Sequence, residues 1–100
     1  MSTINKVISR EKLIQKLEKA YPTMMLRDTE DFDGEKGGIW TSGEDAPLDK
    51  TNMPLFDYWN EDYSGKKYIF GVRVHLHDFL ERNGWFAQWH DAGTMMLYPS

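Results

Sequence analysis

The sequence predicts an α+β fold: one two-layer domain spanning residues 1–100, with an antiparallel sheet of about four or five strands, two helices and a long irregular acidic middle segment. Three observations carry that expectation. Apolar residues recur at helical spacing in two places, near 10–20 and near 75–83. Short strand-like runs stand at 23–27, 39–41 and 68–70, and from Trp85 the side chains alternate between faces. Between them, residues 42–66 carry Pro47, Pro54, Gly43 and Gly65 with many Asp and Asn, which breaks any regular period.

Each element has a local reason. Ser9 is placed to cap the first helix, because its hydroxyl can accept an orphan backbone N–H. Ile8 stands where it can pack on Leu13 as a hydrophobic staple, while residues 1–8 are expected to fray. Leu13, Ile14, Leu17 and Tyr21 form the apolar stripe, with Lys12, Lys16 and Lys19 off it, and Pro22 ends the helix. Thr23–Arg27 and Ile39–Thr41 read as strands joined by an acidic, glycine-containing loop, a hairpin by pattern. Leu55–Trp59 is too aromatic for a plain linker and reads as a strand or as an anchor holding the long loop to the core. Tyr68-Ile69-Phe70, bounded by Gly71, reads as a short strand.

Leu76, Phe79 and Leu80 share one face of the second helix, and Gly84 after Asn83 suits its C-terminal cap. From Trp85 the period changes to two. Trp85, Ala87 and Trp89 lie on one face of a strand, with Phe86, Gln88 and His90 on the other. Asp91–Thr94 supplies a turn, expected to be slightly longer than two residues with glycine at a bulge, and Met95–Tyr98 closes the hairpin. A sheet covered on one face cannot bury both aromatic sets of this strand, so some aromatics are expected to be exposed or shielded by the long loop.

Composition limits function. There is no cysteine, which removes disulfides and thiolate chemistry. No apolar run is long enough to cross a membrane, and the N-terminus lacks an apolar signal core, so a cytoplasmic protein is expected. Net charge is −4, but it is segregated. Residues 1–27 carry six Lys/Arg and two Glu; residues 28–62 carry eleven Asp/Glu and two Lys; residues 63–100 carry four Lys/Arg and three Asp/Glu. An acidic segment of that density repels phosphate and attracts basic surfaces.

No catalytic constellation stands out. An EF-hand reading with Gly34 sixth sets Thr29, Asp31 and Asp33 at the first, third and fifth positions, but Trp40 then falls where a bidentate acid is required. The crowded acids of this loop read as solvated. His75, His77 and His90 are the candidate metal ligands if any exist, with Asp78 beside them, yet positions two apart diverge on a helix. Ser42 lacks a nucleophile elbow, and Gly37-Gly38 lacks the Walker lysine. A glycosidase-like carboxylate pair would need a cleft that so small a chain is not expected to build. No cofactor is expected.

The aromatics Tyr58, Trp59, Tyr63, Trp85, Phe86, Trp89 and Tyr98 are mostly expected in the core. Exposed aromatics beside acids make good anchors for a protein partner. The expected partner-binding residues are therefore Asp28, Glu30, Asp31, Asp33, Glu35, Glu44, Asp45, Tyr58, Trp59, Asp62 and Tyr63.

The C-terminal run Gly84–Thr94, preceded by Phe79-Leu80-Glu81, resembles a small class of bacteriophage and prophage proteins that end in a comparable GW-aromatic hairpin closing on Asp-Ala-Gly-Thr. The resemblance covers the last third of the chain and carries no functional residues. It implies an origin in which small acidic products act by binding a host protein. The leading expectation is thus a non-enzymatic binding module, an inhibitor or modulator of a host nucleic-acid-handling enzyme, whose partner has a basic surface. A small metal-dependent hydrolase or nuclease using His and Asp residues is the alternative, and a structural or assembly subunit the third. Direct nucleic-acid binding is not expected, because phosphate contacts need clustered Lys and Arg. Random duplex DNA should give no mobility shift at micromolar protein and physiological salt; a shift would point to Lys12, Lys16 and Lys19.

Overall fold

The computed structural model describes residues 7–32, 34, 36–44, 46–60 and 64–100. Helix α1 spans Arg10–Ala20 and helix α2 Val74–Arg82. Strands β1 (Arg27–Asp28), β2 (Ile39–Ser42), β5 (Trp85–Asp91) and β6 (Thr94–Pro99) form an antiparallel sheet in the order β1-β2-β6-β5. Strands β3 (Tyr68–Ile69) and β4 (Val72–Arg73) form a separate two-stranded ribbon. The chain is a small α+β fold, as its periodicities predict.

The helix ends behave as their residues dictate. Ser9 stays extended and its hydroxyl accepts the Lys12 N–H at 3.2 Å. Gly84 takes φ +78°, the left-handed conformation that a C-terminal cap requires, and its N–H reaches the Glu81 carbonyl at 3.0 Å. The expected fraying stops short of Ile8. Its N–H donates to the Asn83 carbonyl at 3.1 Å, and its carbonyl accepts from the Trp85 indole at 2.9 Å. Residues 1–6 lie outside the described part of the chain.

Strand register sorts the side chains. Ile39, Leu97 and Ala87 line up across the sheet, as do Thr41, Met95 and Trp89. These point to the covered face, where they meet Leu13 and Leu17 of α1, Leu76 and Leu80 of α2, and Leu55 and Phe56 of the long loop. Each buried aliphatic side chain of this size contributes about 1.5–3 kcal/mol. Trp40, Met96 and Gln88 line up on the other face, beside the pair Phe86 and Tyr98. Phe32 bridges that face, with ring centroids 4.8 Å from Trp40 on β2 and 5.0 Å from His90 on β5. It therefore spans β6, which explains how Met96 is buried on a face that no helix covers. Phe86 remains exposed, as the alternation of aromatics predicts.

Three expected elements are corrected. The strand at 23–27 shrinks to Arg27–Asp28, because Met24 N–H turns back to the Tyr21 carbonyl at 3.0 Å and its side chain enters the core directly. Tyr68-Ile69-Phe70 is not a three-residue strand: Phe70 belongs to the tight turn between β3 and β4. The C-terminal hairpin closes over two residues, Ala92-Gly93, since Asp91 pairs with Thr94; its irregularity falls between Trp89 and Asp91, not at glycine. Leu55–Trp59 is an anchor, joined to the ribbon by the bridge between Phe56 and Val72.

Gly38 fixes where β1 and β2 meet. Its N–H donates to Thr29 Oγ1 at 3.0 Å, and its carbonyl accepts from Thr29 N–H at 3.1 Å and from Arg10 Nη1 at 3.0 Å. A Cβ there would lie 2.6 Å from Tyr98 Cε1 and 2.8 Å from the Leu97 carbonyl oxygen. Because a backbone atom blocks the site, Gly38→Ala is expected to destabilise by roughly 1–3 kcal/mol in a denaturant titration. Gly34→Ala, which meets nothing within 4 Å, carries only the backbone strain of its positive φ.

Candidate functional site

The predicted acids and aromatics separate into two groups. Asp28 and Glu30 sit at edge strand β1 and the short 3-10 turn after it, and both face Arg10 of α1. Arg10 Nη1 reaches Glu30 Oε1 at 2.6 Å, and Nε reaches Asp28 Oδ1 at 3.4 Å. The hydrogen bond from Arg10, helped by the N–H of Gly37, holds the Glu30 carboxyl down at about 2. Asp31 is exposed in the same turn, and Glu44 is exposed with a carboxylate oxygen over Gly93. Asp33, Glu35, Asp45, Asp62 and Tyr63 lie outside the described residues.

Tyr58 and Trp59 belong to the second group, gathered around Trp89 of β5 at the other edge of the sheet. Tyr58 stands perpendicular to Trp89, with ring centroids 5.0 Å apart at 86°. Trp59 stacks edge-on against Tyr58 at 5.0 Å, and Phe56 meets Trp89 at 6.2 Å. The Trp89 indole N–H donates to the Phe70 carbonyl at 2.7 Å. That carbonyl belongs to a turn in which Phe70 has φ +50° and Gly71 has φ +77°. Gly71 is required there twice over: by its φ, and because a Cβ would lie 2.6 Å from the Asp57 carbonyl oxygen. Asp57 N–H in turn donates to the Gly71 carbonyl at 2.7 Å, so segment 55–57 runs beside β4. Tyr58, Asn60, Tyr68, Phe70, Gly71 and Trp89, among others, line an open pocket of about 390 Å³.

Phe70 is the residue that sequence reasoning missed. A bulky side chain in the left-handed region costs on the order of 1–2 kcal/mol, and Asn or Gly usually stands there. Its side chain is 89% exposed, so it returns nothing to the core. Trp59, which meets Tyr58 edge-on, is 76% exposed. The signal in the sequence was an X-Gly pair between Tyr68-Ile69 and Val72-Arg73, the pattern of a two-residue turn.

A second site, also missed, centres on Asp49, whose side chain is 4% exposed. One oxygen accepts from Thr51 N–H at 2.8 Å, Thr51 Oγ1 at 2.6 Å and Met53 N–H at 3.0 Å. The other meets Arg73 Nε at 2.6 Å and His75 Nε2 at 3.0 Å. Burial alone would push this carboxyl up; the hydrogen bonds from Thr51, Arg73, Met53 and His75 outweigh it and hold the group far below the usual range. Arg73 also donates to the Lys67 carbonyl at 2.6 Å and lies over the Tyr68 ring.

The three histidines occupy three environments. His75 lies between Asp49 and the Tyr21 hydroxyl, His77 faces Asp78 and Glu81 on α2, and His90 meets Phe32 edge to face. The fold does not bring them together. His77, Asp78 and Glu81 do place one ligand atom each within 4.8 Å of one another, all on the exposed side of the helix. Among the described residues, no helix is long and apolar enough to cross a membrane.

No protein family matches this chain, and neither does any curated protein or any solved structure.

Asp49 gives the site a pH signature. A depressed carboxyl stabilises the fold fully above its unfolded value near 4, and that contribution is lost as pH falls below it. Asp49→Asn leaves Arg73 without its buried counter-charge and is expected to cost roughly 3 kcal/mol, which lowers Tm by on the order of 10 °C at pH 7. Between about pH 5 and pH 2 the variant should lose less Tm than the wild type in a series of thermal melts. Parallel pH profiles for the two proteins would refute the assignment.

Proposed function

We propose that this chain is a non-enzymatic protein-binding module, an inhibitor or modulator whose partner presents a basic surface of the kind a nucleic-acid-handling enzyme turns toward phosphate. One observation carries the reading: Phe70 is held in a strained turn with its side chain in solvent. Folding alone would select Asn or Gly at that position, so the aromatic ring is retained at a cost to stability. Strain of this kind concentrates where a surface is shaped for a ligand. Trp59, exposed in the same aromatic group, supplies a second large apolar side chain. Aromatic anchors of this type dominate protein interfaces.

The acids support a charged partner in a different way. The chain carries a net charge of −4, and residues 28–62 supply most of its acid. Complementary charge speeds encounter and makes it salt-dependent, whereas buried aromatics slow dissociation. The rings thus provide residence time and the acids provide rate.

The test is Phe70→Asn, made alongside wild type and assayed against a basic protein captured from host lysate. The variant is expected to hold or raise Tm, because Asn tolerates the left-handed conformation. It should weaken the complex by roughly thirtyfold or more, the effect of losing one interface anchor. A variant that binds as well as wild type rules this surface out. A variant that melts lower shows that Phe70 serves the fold.

A further inference from the structure

We infer that a cleft between the end of α1, the start of α2 and the long loop binds the phosphate group of a small organic phosphate monoester, an inference independent of the protein-binding reading above. The cleft is open and measures about 740 Å³, within the range of small-molecule sites. It shares no lining residue with the pocket beside Trp89. Lys19 comes to it from the basic first third of the chain. Lys50 is one of two lysines among eleven acids in residues 28–62, and it lines the same cleft.

The side chains around the cleft divide into a closed floor and free cations. Among the described lining residues, Lys19, Lys50 and Arg73 are cationic and Asp49 alone is acidic. The Asp49 carboxylate is 4% exposed, and donors from Thr51, Met53, Arg73 and His75 already occupy both its oxygens. The Tyr21 hydroxyl is turned to His75 Nδ1 at 3.4 Å, so it too belongs to the floor. Arg73 spends Nε on Asp49 and Nη1 on the Lys67 carbonyl. Its Nη2 has no partner among the described residues. No buried side-chain nitrogen there lacks one, so Nη2 is the part of this nearly buried side chain left to solvent. The Lys19 and Lys50 ammonium groups likewise form no ion pair or hydrogen bond among the described residues.

Two helix ends of opposite sign meet here, the C-terminus of α1 and the N-terminus of α2. Each is worth about half a charge, so their fields offset and the side chains decide. With His75 counted neutral, the lining residues carry a surplus of two positive charges. A phosphate monoester matches that surplus, since it carries about −1.5 to −2 at pH 7. Ala20, Leu48 and the Tyr21 ring add an apolar wall for its organic part, and Leu48 is 54% exposed.

The probe is phenyl phosphate, titrated at constant ionic strength while the backbone amides of Lys19, Lys50 and Thr51 are followed by NMR. Methyl phenyl phosphate, a diester with a single negative charge, and neutral phenol are titrated beside it. Saturable shifts at these amides are expected with the monoester, binding roughly two- to fivefold weaker with the diester, and none with phenol. Lys19→Gln and Lys50→Gln each remove a cation that the fold does not use, so Tm should hold. Their affinity for phenyl phosphate should fall by roughly two- to fivefold. Lys36→Gln makes the same charge change outside the cleft and should leave the affinity unaltered. No saturation by phenyl phosphate or equal binding of the diester overturns the inference. So does an unaltered affinity in both cleft variants, or a loss in Lys36→Gln as large as theirs. The wild-type titrations need no variant to fold. Phe70→Asn should bind phenyl phosphate as wild type does, which keeps the outcome at this cleft apart from the outcome at the protein-binding surface.

Discussion

The Asp49 carboxylate is the interaction on which the long loop depends. Among the described residues of 43–60 there is no helix or strand, so their backbone is held by isolated bridges, turn hydrogen bonds and side chains. Asp49 holds it at both levels. One oxygen closes the local turn on Thr51 and Met53, and the other ties that turn to Arg73 and His75 at the start of α2. A buried ion pair is not a strong source of net stability, because desolvation offsets most of the Coulombic gain. Its value lies in geometry: removing one partner strands the other, so few alternative packings of this loop are tolerated. With the loop fixed, Leu55 and Phe56 enter the core and the Arg73 N–H reaches the Leu55 carbonyl at 2.9 Å.

Trp89 then couples the loop to the sheet. Its strand places it on the covered face, between the closely approaching backbones at Gly43 and Gly71. The indole bonds to the Phe70 carbonyl, which fixes the turn that thrusts Phe70 outward. Strain at one residue is thus sustained by a hydrogen bond from another, as strain requires if it is to persist.

The charge segregation along the chain serves the fold as well as the surface. Asp28 and Glu30 leave the acidic third to meet Arg10 in the basic first third, and Asp49 leaves it to meet Arg73 in the last. The acid available to a partner is therefore less than the sequence count suggests. The Arg10 pairs, unlike Asp49–Arg73, are partly exposed and contribute little to stability, so they mainly orient the loop.

The sequence by itself determined the elements whose causes are local. Ser9 and Gly84 cap their helices through bonds to residues three positions away, and the period-two pattern from Trp85 to Tyr98 announces a hairpin without reference to the rest of the chain. It also foretold that the aromatics of β5 could not all be buried and that some would be exposed or shielded by the long loop, and Phe86 is exposed. Tertiary structure decided everything that depends on distant partners. That Met24 enters the core and Leu26 packs against it instead of joining a ladder, that Phe32 crosses the open face, and that Asp49 meets Arg73 are contacts over separations that no local pattern encodes. Phe70 lies between the two cases. Its X-Gly turn was legible, but its exposure and strain appear only once Asp57 and Trp89 close around Gly71.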